Sequence, residues 1–150
     1  AQNPHAGHVM PAATPGPTPA KAAARAAART TGLYTPVVTP NGSTLPFTMN
    51  NGVKEFRLTA ETLVREFAPG MKVNCWGYNG STPGPTIEAV EGDRVRLFVT
   101  NGLPEHTTVH WHGILLPNGM DGVGGLTQPQ IPVGKTYVYE FEMKHSGSFM

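Results

Sequence analysis

The sequence predicts an all-β domain, a sandwich or barrel built from about six or seven short strands. Three observations carry this. Apolar and polar residues alternate with a period of two in several runs after Val53, the pattern of half-buried strands. Five Asn-Gly pairs, at 41, 51, 79, 101 and 118, punctuate the chain, and this dipeptide favours tight hairpin turns. Gly (18) and Pro (15) are abundant, while charged residues make up only 14%, a composition that suits turn-rich β architecture.

The strands follow in order. Phe56, Leu58 and Ala60 alternate with Glu55, Arg57 and Thr59. Leu63 to Phe67 also fits a helix, because its two ends are four residues apart; the extended reading is preferred. Val73 to Tyr78 is a further short strand. Ile87 to Val90 and Arg94 to Thr100 are the next two, separated by Glu91-Gly92-Asp93. In the latter, Val95, Leu97 and Val99 share one face. Thr107 to Leu115 reads as another strand. Tyr137, Tyr139 and Phe141 alternate with Val138, Glu140 and Glu142 in the last complete one.

Three regions are expected along the chain. Residues 1–32 read as a disordered Ala/Pro-rich tail. Pro15-Gly16-Pro17-Thr18-Pro19 is stiff and extended. Lys21 to Arg29 is Ala-rich, with three cations at i, i+4 and i+8, a solvated spacer rather than a partner helix. His5, His8 and Met10 are read as scattered polar-end residues, not as a metal site. Residues 33–52, with Pro36, Pro40 and Pro46, read as an irregular arm. Residues 53–150 hold the folded domain and most of its core.

Lys plus Arg number 11 and Asp plus Glu number 10, a formal charge of +1. That balance argues against a nucleic-acid surface or a membrane-binding patch. No apolar stretch approaches the roughly 20 residues that cross a bilayer as a helix. Cys75 is the single cysteine; it has no internal disulfide partner, and a buried structural thiol is expected there. The chain begins Ala1-Gln2, which fits a mature protein whose export signal has been removed.

The strongest chemical signal is His110-Trp111-His112-Gly113. In an extended segment alternate side chains point to opposite faces. His110 and His112 therefore project from one face, about 6.5–7 Å apart along the chain, while Trp111 anchors the segment in the core. The spacing suits two ligands reaching adjacent metal ions better than two pinching one. Only neutral imidazole ligates, so occupancy falls in acid.

These residues sit within a longer pattern. Trp76-Gly77-Tyr78-Asn79-Gly80 is followed by Pro83-Gly84-Pro85-Thr86-Ile87 and Glu91-Gly92-Asp93. Then come the histidine motif, Met120-Asp121-Gly122, Leu126-Thr127-Gln128-Pro129, and Gly134-Lys135-Thr136-Tyr137-Val138-Tyr139-Glu140-Phe141. From about Val53 onward the chain resembles the first domain of multicopper oxidases, the laccase-like group, and within it the bacterial periplasmic copper-resistance oxidases. The resemblance implies a cupredoxin-like Greek-key β-sandwich, incomplete at its C-terminal end. It implies one-electron oxidation of a small reducing substrate, phenols or cuprous ion, coupled to four-electron reduction of O₂ to water. His110 matches a ligand of the type 2 copper, and His112 a ligand of one type 3 copper of a trinuclear cluster. Asp121 matches a carboxylate assisting proton delivery. A periplasmic or secreted location goes with the resemblance.

The departures are equally specific. The family's second His-x-His motif falls just beyond a stretch matching Gly147-Ser148-Phe149-Met150, and the blue type 1 copper ligands lie in a later domain. Cys75 is not the blue-copper cysteine, and His106 and His145 lie outside matched ligand positions. The chain is thus expected to supply two of eight cluster ligands, to need the remaining cupredoxin domains, and to be inactive alone. Two other classes compete: a non-catalytic periplasmic copper-binding module, and a β-sandwich interaction domain with a vestigial site. Copper titration with an EPR readout separates those two.

Overall fold

A computed structural model describes residues 36–40 and 42–150. The expected tail at 1–32 and Asn41 lie outside the described residues. Five strands form one sheet: β1 (Phe47–Asn50), β2 (Val53–Ala68), β3 (Met71–Tyr78), β4 (Arg94–Asn101) and β5 (Thr136–Glu142). A 3-10 turn, Asn118–Met120, precedes β5. The order is β1-β2-β4-β5, with β3 paired to β2.

β2 organises the sheet because it serves two sets of partners. Its first half pairs antiparallel with β1, from Phe47↔Phe56 to Asn50↔Val53. The connecting Asn51 and Gly52 have φ of 49° and 80°, the double positive φ of a two-residue hairpin turn matched to strand twist. The same half pairs in parallel with β4, from Val53↔Arg94 to Ala60↔Asn101. β5 then closes antiparallel on β4. The second half of β2 pairs with β3, from Ala60↔Tyr78 to Ala68↔Met71, with a bulge between Glu66 and Ala68.

The core lies on one face of β2, β4 and β5. Phe56, Leu58, Val95, Leu97, Val99, Tyr139 and Phe141 are all buried there. Leu45, Trp111 and Ile131 cover them from irregular segments. The opposite face carries a charge ladder along the strand register, Glu55 beside Arg96 beside Glu140. Arg96 bonds both carboxylates, at 2.6 and 2.7 Å, and Arg94 reaches Glu140 at 2.7 Å.

The motifs have local mechanical reasons. In Trp76 to Gly80, a Cβ on Gly77 would overlap Ser81 O and sit 2.7 Å from Leu63 Cδ2. Asn79 takes φ 49° and uses its amide on Thr59 N–H and Arg57 O, at 2.7 and 3.0 Å. In Glu91 to Asp93, the Asp93 carboxylate accepts from Val90 N–H at 2.8 Å and pairs with Lys54 at 2.7 Å. Buried Asn101 donates to Glu105 O and Ile131 O and accepts from Leu103 N–H.

Four expectations are corrected. Residues 47–50 of the expected irregular arm form β1, because Asn51-Gly52 folds them back onto β2. Ile87–Val90 is not a strand; its neighbour Thr86 makes only an isolated bridge with Thr44, and Val90 N–H is taken by Asp93. Thr107–Leu115 is irregular, bridged to the rest only at Thr107↔Ile131. Cys75 is half-buried rather than buried, since it sits on β3 beyond the covered part of the sheet. Leu63 to Phe67 is extended, as the second half of β2.

Candidate metal centre

Residues 107–112 lack a neighbouring strand, yet they are held extended by other partners. Thr107 and Ile131 exchange backbone bonds of 3.2 and 2.7 Å. Val109 N–H donates to the Tyr139 hydroxyl at 3.2 Å. Trp111 N–H donates to Asp121 O at 3.4 Å. The alternation predicted for a strand therefore survives without a ladder. Trp111 is buried and meets Tyr139 edge-on at 5.2 Å and Phe141 at 5.9 Å between ring centroids. His110 and His112 are exposed, with ring centroids 5.9 Å apart and planes at 44°.

Tyr139 supports the segment from beneath. Its side chain is fully buried. Burial pushes the hydroxyl above the usual tyrosine range, outweighing the bond from Val109 N–H that lowers it. The group therefore stays a neutral hydroxyl, whose oxygen accepts from Val109 N–H while its own O–H remains a donor.

His110 has a defined tautomer. Its Nδ1 lies 2.7 Å from Asp121 O. A carbonyl can only accept, so Nδ1 carries the hydrogen and Nε2 presents its lone pair. The Asp121 carboxylate stands 3.5 Å from the same Nδ1. Asp121 thus touches His110 through backbone and side chain together. This approach requires Gly122. Its φ is +84°, and a Cβ there would overlap Val109 O and lie 2.6 Å from Val109 C and 3.0 Å from His110 Cα.

The structure brings His110, His112 and Asp121 together and leaves His106 and His145 outside that group. His106 is exposed on the preceding loop. His145 Nε2 bonds Gly113 O at 3.2 Å. Among the described residues, no group of three or more His, Cys, Asp or Glu is arranged to hold a metal ion. The acceptor for His110, a backbone carbonyl, had no signal in the sequence. The role of Tyr139 was foreshadowed only by its place on the core face of its strand.

A family model described as "Multicopper oxidase" matches residues 59–150, and the chain belongs to that family. Copper resistance protein A of Escherichia coli is 49% identical over 71 residues, covering 47% of this chain and 12% of that protein. Multicopper oxidase mco of Staphylococcus aureus is 39% identical over 99 residues, covering 66% and 22%. A multi-copper oxidase structure from Pseudomonas thermotolerans superposes with a TM-score of 0.63 at 37% identity, over 65% of this chain and 24% of that one. The Campylobacter jejuni multicopper oxidase, titled a metallo-oxidase, gives 0.61 at 32%, over 69% and 21%. The chain therefore spans between 12% and 24% of the length of these relatives. Its fold is all-β and cupredoxin-like, and its open sheet fits part of a β-sandwich. No helix among the described residues is long and apolar enough to cross a membrane.

Proposed function

We propose that the chain is the N-terminal part of a longer multicopper oxidase, exported to the periplasm or secreted. The whole protein couples one-electron oxidation of a small reducing substrate, phenols or cuprous ion, to reduction of O₂ to water. His110 serves the type 2 copper and His112 one type 3 copper of the trinuclear cluster. Further cupredoxin domains supply the other ligands and the blue type 1 site, and the chain alone is inactive. The observation that carries this reading is the Nδ1–H of His110 on Asp121 O, which leaves Nε2 as a lone-pair donor on the same exposed side as His112.

The residue types fit copper, since imidazole serves both Cu(I) and Cu(II) without a change of ligand. Copper, when bound, supplies the one-electron chemistry. The chain's own residues orient the site and manage protons. Asp121 O fixes the His110 ring, and Trp111 locks the backbone between the two rings. The Asp121 carboxylate, partly exposed and beside His110, can carry a proton between solvent and the site. Spreading those two tasks over backbone and side chain lets the carboxylate change protonation without releasing the ring.

In the full-length protein, His110→Ala is expected to abolish O₂ reduction while the blue copper colour is retained, because the two sites draw on different ligands. Near-normal oxidase activity in that variant counts decisively against the assignment.

A further inference from the structure

His110 is held by Asp121, but among the described residues no hydrogen-bonding partner reaches the His112 ring. What fixes His112 is the turn it stands on. Ile114 N–H donates to Trp111 O at 3.2 Å, closing a four-residue turn with His112 second and Gly113 third. Gly113 takes φ +83°, the positive φ that a type II turn requires at its third position. Two contacts from one later segment converge on this glycine, and a third joins the two side chains that make them. His145 Nε2 donates to Gly113 O at 3.2 Å. A Cβ on Gly113 would lie 3.0 Å from Phe149 Cδ1. The His145 and Phe149 rings meet edge-on at 4.9 Å and 77°, so each holds the other in place.

We propose that His145 is a positioning residue for His112, acting through the Gly113 carbonyl and seated by Phe149; its copper-related meaning rests on the reading of His112 as a ligand. The Gly113 carbonyl belongs to the peptide joining Gly113 to Ile114, whose N–H closes the turn on Trp111 O, so tilting that peptide deforms the turn and the backbone that aims His112. A donor fixed on that carbonyl suppresses the motion. His110 and His112 are thus pinned by different devices: His110 directly, through its own ring, and His112 indirectly, through the turn on which it stands. The segment that provides the second device, residues 145–149, leads on from β5, which also carries the Tyr139 hydroxyl under Val109. Both ends of the His-Trp-His stretch are therefore fastened to the same stretch of chain.

NMR on the metal-free 150-residue chain tests this without reference to copper. Three-bond couplings report the His112 χ1 rotamer, and hydrogen exchange reports the Ile114 amide. The native chain is expected to hold one rotamer. His145→Ala should average the couplings and speed Ile114 exchange by roughly fivefold, the factor for one hydrogen bond worth about 1 kcal/mol. His145→Gln, which restores an N–H donor of similar reach, should return both towards native values. Core signals such as Tyr139 should stay unchanged in both variants. If the alanine variant does not fold, His145→Leu, which keeps bulk without the donor, replaces it with the same expectations. Unaltered His112 couplings and Ile114 exchange on loss of the donor overturn the proposal, as does a glutamine variant no better than alanine. Adding Cu(II) alone then tests the ligand reading by itself. Broadening of the His110 and His112 ring signals supports that reading. Absence of broadening with His112 still held in one rotamer shows that the two rings do not hold Cu(II) without the ligands of the other domains, and leaves the coupling to His145 standing.

Discussion

Gly122 is the position at which one methyl group should do most harm to the site. Gly122→Ala meets two separate obstacles. The first is its φ of +84°, which costs a residue with a Cβ about 1–2 kcal/mol. The second is the packing of its Cα against Val109 and His110. The added carbon would sit 2.6 Å from Val109 C, whereas carbons in contact rest about 3.5–4.0 Å apart. The loop must therefore retreat by about 1 Å. A retreat of that size stretches the bond from His110 Nδ1 to Asp121 O, now 2.7 Å, to about 3.7 Å, beyond hydrogen-bond range. The weaker bond from Trp111 N–H to the same oxygen goes with it. At about 0.5–1.5 kcal/mol each, these losses bring the total to roughly 2–5 kcal/mol. Gly125→Ala is the matched control. It has φ +79° and nothing within 4 Å of its Cβ, so only the backbone cost applies. Urea denaturation of both variants, with NMR of the His110 ring N–H, measures the difference. Gly122→Ala should unfold at lower urea than Gly125→Ala and lose the protected ring signal. Midpoints that agree to within about 0.5 kcal/mol, with the ring signal intact, refute the reasoning.

Other perturbations follow from the same structure. Asn101→Ala removes a fully buried amide that satisfies Glu105 O, Ile131 O and Leu103 N–H. It should cost about 2–4 kcal/mol in thermal or urea unfolding, since buried groups are left unpaired. For Glu140, burial raises the carboxyl pKa, but bonding to Arg96 and the charges of Arg94 and Arg96 outweigh it, and the net shift is downward from 4.5. A lowered folded pKa stabilises above the unfolded value and is lost as pH falls through the folded one. The native chain should therefore lose more stability than Arg96→Met as pH falls below 4.5, a gap read from unfolding midpoints along that titration. Tyr139→Phe keeps the ring but strands Val109 N–H, and should cost about 1–3 kcal/mol with faster exchange of that amide.

Where the sequence was legible, side-chain alternation carried the information. Phe56, Leu58 and Ala60, then Val95, Leu97 and Val99, then Tyr139 and Phe141 all face the core as their period of two requires. The opposition of His110 and His112 to Trp111 was legible for the same reason. Alternation reports backbone extension and not pairing, which is why Thr107–Leu115 read as a strand. Its donors go instead to a tyrosine hydroxyl and an aspartate carbonyl, partners 30 and 10 residues further along. Ile87–Val90 misled in the same way. The parallel pairing of β2 with β4 was invisible because no turn joins those strands and no local signal encodes a crossover. The length of β2 was hidden by Leu63 to Phe67, whose spacing serves either a helix or a ribbon. Asp121 was found by motif, but its grip on His110 depends on Gly122, and close approach of two loops leaves no mark in composition.

The chain's two tryptophans occupy opposite environments. Trp111, only 9% exposed, stands between the two candidate ligands, whereas Trp76, 52% exposed, stands on the open ribbon of β2 and β3. Their fluorescence is accordingly expected to split by colour, a blue-shifted emission from the buried indole and a red-shifted one from the wet indole. Paramagnetic Cu(II) seated on the flanking imidazoles would quench the blue component first. On the proposed ligand reading, the protein would thus carry its own optical gauge of site loading, with an internal reference and no attached dye.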